Sequence, residues 1–116
     1  MSQVEALRYV VIGVAASIFP THRRAQEAEG VNVVSACDIN VEAGKQRAAE
    51  IGCAFYEDYR ALLAETRPDV AVIVTPHPLH PSMTIDCLRA GCHVLVEKPM
   101  AVDVAEADQM ITEADK

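Results

Sequence analysis

Apolar residues occur along the chain in short runs, separated by stretches that show helical spacing. Five such runs, mostly β-branched, predict strands, and the stretches between them predict helices. The predicted strands cover residues 8–13, 31–37, 53–56, 69–75 and 93–96. The predicted helices cover residues 20–29, 41–51, 58–65, 81–90 and 102–114. This alternation predicts an α/β fold with a doubly wound parallel sheet, in one domain that spans residues 1–116.

Composition narrows the functional class. With 116 residues and a hydrophobic fraction of 51%, the chain is able to form a sizeable core. A net charge of −7 and an aromatic fraction of 4% argue against nucleic-acid binding. The apolar run over residues 9–19 is too short for a membrane span, which needs about 20 residues. We therefore expect a cytoplasmic protein with neither a nucleic acid nor a membrane as its partner.

The four cysteines show no CxxC spacing. Reduced thiols that act as small core residues are the simplest interpretation, in agreement with a cytoplasmic location. The cysteines are Cys37, Cys53, Cys87 and Cys92.

The turn after the first predicted strand is the place where dinucleotide-binding folds hold phosphate groups. It begins at Gly13 and continues through Ala15, Ala16, Ser17 and Ile18. Backbone amides and a helix N-terminus are able to hold a pyrophosphate there without a charged side chain. Ala15 and Ile18 stand where the GxGxxG pattern has glycines, so the match is partial. An ordinary strand–helix turn accounts for the same residues, and the sequence leaves both interpretations open.

Asp38 ends the second predicted strand, where a carboxylate is able to accept hydrogen bonds from both ribose hydroxyls of a dinucleotide. It would repel a 2′-phosphate, and no arginine follows directly, since Ile39 and Asn40 come next. This arrangement favours NAD over NADP. Two alternatives remain: Asp38 caps the following helix, or the fold binds S-adenosylmethionine, for which an acid at this position is also used.

Two loops after later strands carry further polar residues. Thr75-Pro76-His77-Pro78-Leu79-His80 follows the fourth strand, and its prolines restrict the backbone. His77 and His80 lack a third ligand nearby in the sequence, so we predict no metal site.

Glu97-Lys98-Pro99 follows the fifth strand. A lysine at a strand end is able to exchange a proton with a substrate hydroxyl, with Glu97 orienting it, although an isolated Glu-Lys-Pro is more simply a surface turn.

Read in order, these segments resemble the Gfo/Idh/MocA oxidoreductases, the family of glucose–fructose oxidoreductase and inositol dehydrogenase. The resemblance covers residues 8–114 and corresponds to the N-terminal nucleotide-binding domain of the family. The segments that carry it are Thr75-Pro76 with His80, Ala90-Gly91, His93-Val94 and Glu97-Lys98-Pro99. His22 also stands at a position that resembles the family pattern.

The resemblance implies a Rossmann-like NAD(P)-binding domain and an enzyme that transfers hydride between the cofactor and a sugar or polyol. By the family pattern, Lys98 would contact the reacting oxygen, Thr75, Pro76 and His80 would lie near the nicotinamide, and Asp38 would bind the adenosine ribose. His77, Glu97 and Lys98 itself complete the predicted cofactor contacts.

In the family a second α/β domain supplies much of the substrate pocket and usually the homo-oligomer interface. We expect that domain to be absent from these 116 residues, and the chain alone to be inactive. The alternative from another functional class is a stand-alone dinucleotide-binding sensor or partner module without catalysis.

Overall fold

The computed structural model describes residues 7–75, 80–96 and 104–116. Its strands are β1 (Arg8–Ile12), β2 (Asn32–Cys37), β3 (Ala54–Tyr56), β4 (Val70–Ile73) and β5 (His93–Val96). Its helices are α1 (Phe19–Ala28), α2 (Val41–Ile51), α3 (Tyr59–Thr66), α4 (His80–Arg89) and α5 (Val104–Ala114). The strict alternation predicted from the sequence is therefore confirmed, element by element.

The five strands form one parallel sheet in the order β3-β2-β1-β4-β5. The order reverses at β1, because β2 pairs with one edge of that strand and β4 with the other. In open parallel sheets, ligands bind at the carboxyl ends of the strands beside such a reversal. The topology alone therefore places a candidate site past Ile12, Cys37 and Ile73.

Both faces of the central strand β1 are covered, which is typical of a doubly wound fold. Val10 and Ile12 of β1 pack on one face with Leu62 of α3. Val11, between them in the strand, packs on the other face with Phe19 of α1. Because successive side chains of a strand alternate between faces, the uniformly apolar strands serve two separate cores.

The helix boundaries follow local sequence signals. The Asn40 side chain accepts a hydrogen bond from the amide of Ala43 and caps α2, and Gly52 ends that helix with φ of +84°. Asp58 caps α3 by accepting from the amide of Arg60. These residues satisfy end groups that a helix leaves unpaired.

Several element ends differ slightly from the prediction. The first strand stops at Ile12 because Gly13 has φ of +93°, outside the extended region. The fourth strand is confined to Val70–Ile73, although the amide of Val74 still donates to the carbonyl of Ile12 at 2.9 Å. The predicted start of the last helix, residues 102–103, lies outside the described residues.

All four cysteines are free thiols; Cys37, Cys87 and Cys92 are buried, and Cys53 is half-buried. The prediction that they act as core residues is confirmed for the three buried thiols. Within the part of the chain that the structure describes, no helix is both long enough and apolar enough to cross a membrane.

Candidate functional site

A cleft of about 960 Å³ opens at the carboxyl ends of β1, β2 and β4, where the strand order reverses. Seven of the residues predicted to bind a cofactor line it. They are Gly13, Ala15, Ala16, Ser17, Ile18, Asp38 and Thr75. Residues that lie far apart in the sequence thus meet at one edge of the sheet.

The turn between β1 and α1 is held in place by its own backbone and by the end of β2. The amides of Gly13 and Val14 both donate to the carbonyl of Cys37, at 2.8 and 3.1 Å. The amide of Ala16 donates back to the carbonyl of Gly13 at 2.9 Å. A Cβ on Gly13 would lie 2.7 Å from the amide nitrogen of Thr75, so the turn depends on a glycine at its first position.

The next two amides of this turn belong to Ser17 and Ile18. Among the described residues, the amides of Ser17 and Ile18 have no backbone hydrogen-bond acceptor. Ile18 is the N-cap of α1 and provides no side-chain cap, and the first turn of that helix contains no acidic residue. These amides and the positive end of the helix dipole therefore remain available to an anion in the cleft.

Asp38 joins this turn to the end of β2. Its Oδ2 accepts a hydrogen bond from the amide of Ala15 at 2.9 Å, and its Oδ1 accepts from the amide of Asn40 at 2.8 Å. The alternative that Asp38 caps α2 is wrong, because Asn40 performs that role. An ionised carboxylate offers about four acceptor positions, so Asp38 retains capacity for a ligand's hydroxyl groups.

Thr75 lines the same cleft as Asp38 and packs closely against Gly13. Its Oγ1 donates to the Sδ of Met83 in α4, at 3.2 Å, which places Met83 on the cleft wall. His80 is the first residue of α4. The other predicted site residues lie outside the described part of the chain; they are Pro76, His77, Glu97 and Lys98.

The cleft has a further wall that the sequence analysis missed, formed by the start of α3. The Tyr59 hydroxyl donates to Oδ2 of Asp86 in α4, and burial together with this hydrogen bond raises the pKa of Tyr59 above its usual value of 10.0. The guanidinium of Arg60 lies 4.9 Å from the centroid of the Tyr59 ring and 3.6 Å from Asp86. The sequence predicted a helix over residues 58–65 but gave no signal for a cleft wall.

Cys37 also lines the cleft, but its chemistry is that of an inert thiol. Burial and the charges of Asp38 and Asp58 raise the pKa of Cys37 from 9.0 to about 12. A thiol with that pKa stays protonated at neutral pH and is a poor nucleophile. Its contribution to the cleft is the backbone carbonyl that holds Gly13 and Val14.

Comparison with known proteins places this geometry in a family. Residues 7–116 match the model of the GFO_IDH_MocA oxidoreductase family, NAD-binding Rossmann fold. D-glucoside 3-dehydrogenase of Escherichia coli is 33% identical over 87 residues, which are 74% of this chain and 25% of that enzyme. The chain thus spans about a quarter of the length of this relative.

Solved structures agree with the sequence match. The WlbA dehydrogenase of Bordetella pertussis, in complex with NADH and UDP-GlcNAcA, superimposes with a TM-score of 0.92 at 30% identity, over 99% of this chain and 35% of that protein. KijD10, a 3-ketoreductase of Actinomadura kijaniata in complex with NADP and TDP-benzene, gives a TM-score of 0.84 at 31% identity, over 96% and 34% of the two chains. The chain belongs to the Gfo/Idh/MocA oxidoreductase family, of which it has the NAD-binding Rossmann fold.

Proposed function

We propose that this chain is the dinucleotide-binding domain of an oxidoreductase that transfers hydride between NAD and a hydroxyl or keto group of a sugar or polyol. The observation that carries the proposal is the joint placement of Asp38 and the amides of Ser17 and Ile18 in one cleft. A carboxylate for the ribose and free amides for the pyrophosphate are the two groups by which Rossmann folds bind a dinucleotide.

The charges of the cleft support NAD in preference to NADP. Among the described residues that line the cleft, three are acidic and one is basic. The acidic residues are Asp38, Glu57 and Asp58, and the basic residue is Arg60. A 2′-phosphate beside Asp38 would be repelled by this carboxylate, whereas two ribose hydroxyls would donate hydrogen bonds to it. The solved structures of relatives do not decide between NAD and NADP, because one of them is a complex with NADH and another is a complex with NADP.

An apolar surface next to Asp38 fits the adenine base. Ile39 lines the cleft and is 89% exposed, which is unusual for a side chain of its size and apolar character. A flat base that lies against Ile39 would remove this apolar surface from water. The position agrees with the ribose proposed at Asp38, since adenine and ribose are directly bonded.

The proposed chemistry rests on the motif at Lys98. A nicotinamide cofactor held in this cleft would supply the hydride acceptor or donor for the substrate carbon. In the oxidation direction, Lys98 would take the proton from the substrate hydroxyl as the C–H pair of electrons leaves with the hydride, and in reduction it would return that proton. Thr75, Pro76, His77, His80 and Glu97 are proposed to surround the nicotinamide half.

We further propose that residues 1–116 form the cofactor domain and that a second domain is needed for turnover. Hydride transfer requires the substrate to be held against the cofactor at short range. The relatives are about three to four times as long as the match, and sugar-type substrates are named for several of them, including UDP-N-acetylglucosamine 3-dehydrogenase of Acidithiobacillus ferrooxidans. The chain alone should therefore bind cofactor without oxidising a sugar.

Calorimetric titration of the purified chain with NAD, NADP and S-adenosylmethionine tests the proposal. We expect binding of NAD, weaker binding of NADP and no binding of S-adenosylmethionine. Binding of S-adenosylmethionine alone would overturn the assignment in favour of a methyltransferase-like site. A chain that is folded by circular dichroism but binds none of the three would contradict the proposed cofactor binding of these 116 residues.

A further inference from the structure

Arg47 reaches from the middle of α2 to the turn that precedes α1. Its Nη1 donates to the carbonyls of Val14 and Ala16, both at 3.2 Å. The guanidinium carbon lies 5.8 Å from the centroid of the buried Phe19 ring, within the range of a cation–π contact. One side chain thus holds both the turn and the first residue of the helix that follows.

One of the two carbonyls that Arg47 binds adjoins the amide of Ser17. The carbonyl of Ala16 belongs to the same peptide unit as the amide of Ser17, and the amides of Ser17 and Ile18 lack a backbone partner among the described residues. A charged donor to two carbonyls fixes the orientation of their peptide planes more firmly than a neutral donor does.

Arg47 forms no ion pair with an acid of the described residues. Within the described residues, the ion pairs involve Arg23, Arg60, Arg89 and Lys116, and none involves Arg47. Arg47 is half-buried, so salt screens its charge less than it screens a fully exposed one. The charge of Arg47 thus acts on this turn together with the dipole of α1, while the carboxylate of Asp38 accepts from the amide of Ala15 in the same turn.

We propose that Arg47 is a positioning residue for the pyrophosphate of the dinucleotide. It holds the turn in the conformation that presents the amides of Ser17 and Ile18, and its charge favours an anion at those amides. In this chain, where Ala15 and Ile18 replace two glycines of the phosphate-binding pattern, Arg47 supplies rigidity and charge from a second helix. This inference rests on the proposed dinucleotide function and extends it to a residue outside the glycine pattern.

The test compares two probes that differ in the pyrophosphate. ADP-ribose contains it and adenosine lacks it, and both are titrated by NMR into the unmodified chain and into Arg47→Met, Arg47→Lys and Lys45→Met. Lys45 is an exposed residue of the same helix, so Lys45→Met removes an equal charge without touching the turn. Amide hydrogen exchange of Ala16 and Phe19, measured without ligand, reports the order of the turn.

We expect Arg47→Met to weaken ADP-ribose binding by about tenfold, which is about 1.4 kcal/mol, while adenosine binding changes by less than about twofold. Arg47→Lys should recover part of the loss because it keeps the charge, and Lys45→Met should bind both probes as the unmodified chain does. Exchange at Ala16 and Phe19 should accelerate in Arg47→Met. If that variant does not fold, Arg47→Gln, which is neutral but keeps a donor, replaces it.

Unchanged ADP-ribose affinity in Arg47→Met, or an equal loss for both probes, would overturn the role of Arg47 while leaving the dinucleotide function intact. If the unmodified, folded chain bound neither probe, the proposed function itself would fail, and this role with it. The behaviour of the unmodified chain therefore separates the two failures.

Discussion

Asp38 accepts a hydrogen bond from the backbone amide of Ala15, with 2.9 Å between the amide nitrogen and Oδ2. This bond links the end of β2 to the turn after β1, so the proposed ribose-binding carboxylate and the proposed phosphate turn form one unit. A substitution at Asp38 therefore changes both the charge of the cleft and the anchoring of the turn, and a test of its role has to separate these two effects.

Asp38→Asn removes the charge but lets the remaining side-chain oxygen accept from the amide of Ala15. Its NH2 group then faces the amide of Asn40, which loses its acceptor, so this variant also loosens the loop after β2. We expect NAD to bind about tenfold more weakly to Asp38→Asn and the preference for NAD over NADP to fall by a similar factor. Asp38→Ala should weaken NAD binding further, because the turn also loses its anchor. Calorimetric titration with both cofactors measures the change.

Glu42→Gln provides the matched control for Asp38→Asn. Glu42 is an exposed acid in the first turn of α2, close to Asp38 in sequence. Its neutralisation should leave the ratio of the NAD and NADP affinities within about twofold of the unmodified value. If Asp38→Asn and Asp38→Ala kept the original selectivity, Asp38 would have no part in cofactor binding.

Gly13 is expected to be intolerant of any side chain. Its φ of +93° disfavours other residues, and a Cβ would lie 2.7 Å from the amide nitrogen of Thr75 and 2.8 Å from its Cγ2. We expect Gly13→Ala to lower the free energy of unfolding by about 2–4 kcal/mol, measured by urea denaturation.

Gly30→Ala separates the two causes, because Gly30 also has a positive φ, +67°, but a Cβ at this position would have no neighbouring atom within 4 Å. We expect this variant to lose about 1 kcal/mol from backbone conformation alone. Equal losses in Gly13→Ala and Gly30→Ala would show that the close approach to Thr75 is unimportant.

Much of the fold follows from local signals, and most of the cleft does not. The strands are nearly free of charge and several helices are followed by glycines, so each element could be located to within about two residues. The partners of Ala15 and Arg47 could not be predicted, because each contact joins residues more than 20 positions apart. Such contacts depend on how α2 and β2 pack against the turn after β1. The spacing of apolar residues along the sequence does not specify this packing.

The capping of α2 illustrates a local ambiguity. Asp38 and Asn40 are both good N-cap residues, two positions apart. The sequence could not choose between them, whereas the structure assigns the cap to Asn40 and leaves Asp38 in the cleft. Asn40 has an extended backbone and accepts from the amide of Ala43, which is the geometry of an N-cap residue.

Lys98 should matter for turnover and not for cofactor binding. In a polypeptide that carries the substrate domain, we expect Lys98→Ala to lower kcat by about 10²–10⁴-fold, as is typical for the loss of a general acid or base. The Kd for NAD should change by less than about threefold.

Steady-state kinetics and calorimetry on the same preparation measure kcat and Kd. Lys116→Ala is the control, because Lys116 is exposed in the described C-terminal residues. Undiminished turnover in Lys98→Ala would assign the proton transfer to another group.

The buried thiols should make the fold sensitive to alkali. Burial, with smaller effects from Cys92 and Asp86, raises the pKa of Cys87 from 9.0 to about 12, and the pKa of Cys37 rises to about 12 as well. Because the folded state keeps these protons longer than the unfolded state, their contribution to stability is complete below pH 9 and is lost as the pH rises towards 12. Each thiol should lower the free energy of unfolding by about 1.4 kcal/mol per pH unit in that window.

Cys87→Ala tests this linkage, since it removes one titrating group from the core. The variant should be less stable than the unmodified chain at neutral pH, because Cys87 is fully buried and its loss leaves a small cavity. Its stability should nevertheless fall less steeply above pH 9, so the two curves of unfolding free energy against pH should converge. Urea denaturation under a thiol-free reductant, which prevents oxidation, provides both curves. Parallel curves would show that the Cys87 thiol does not titrate differently in the folded and unfolded states.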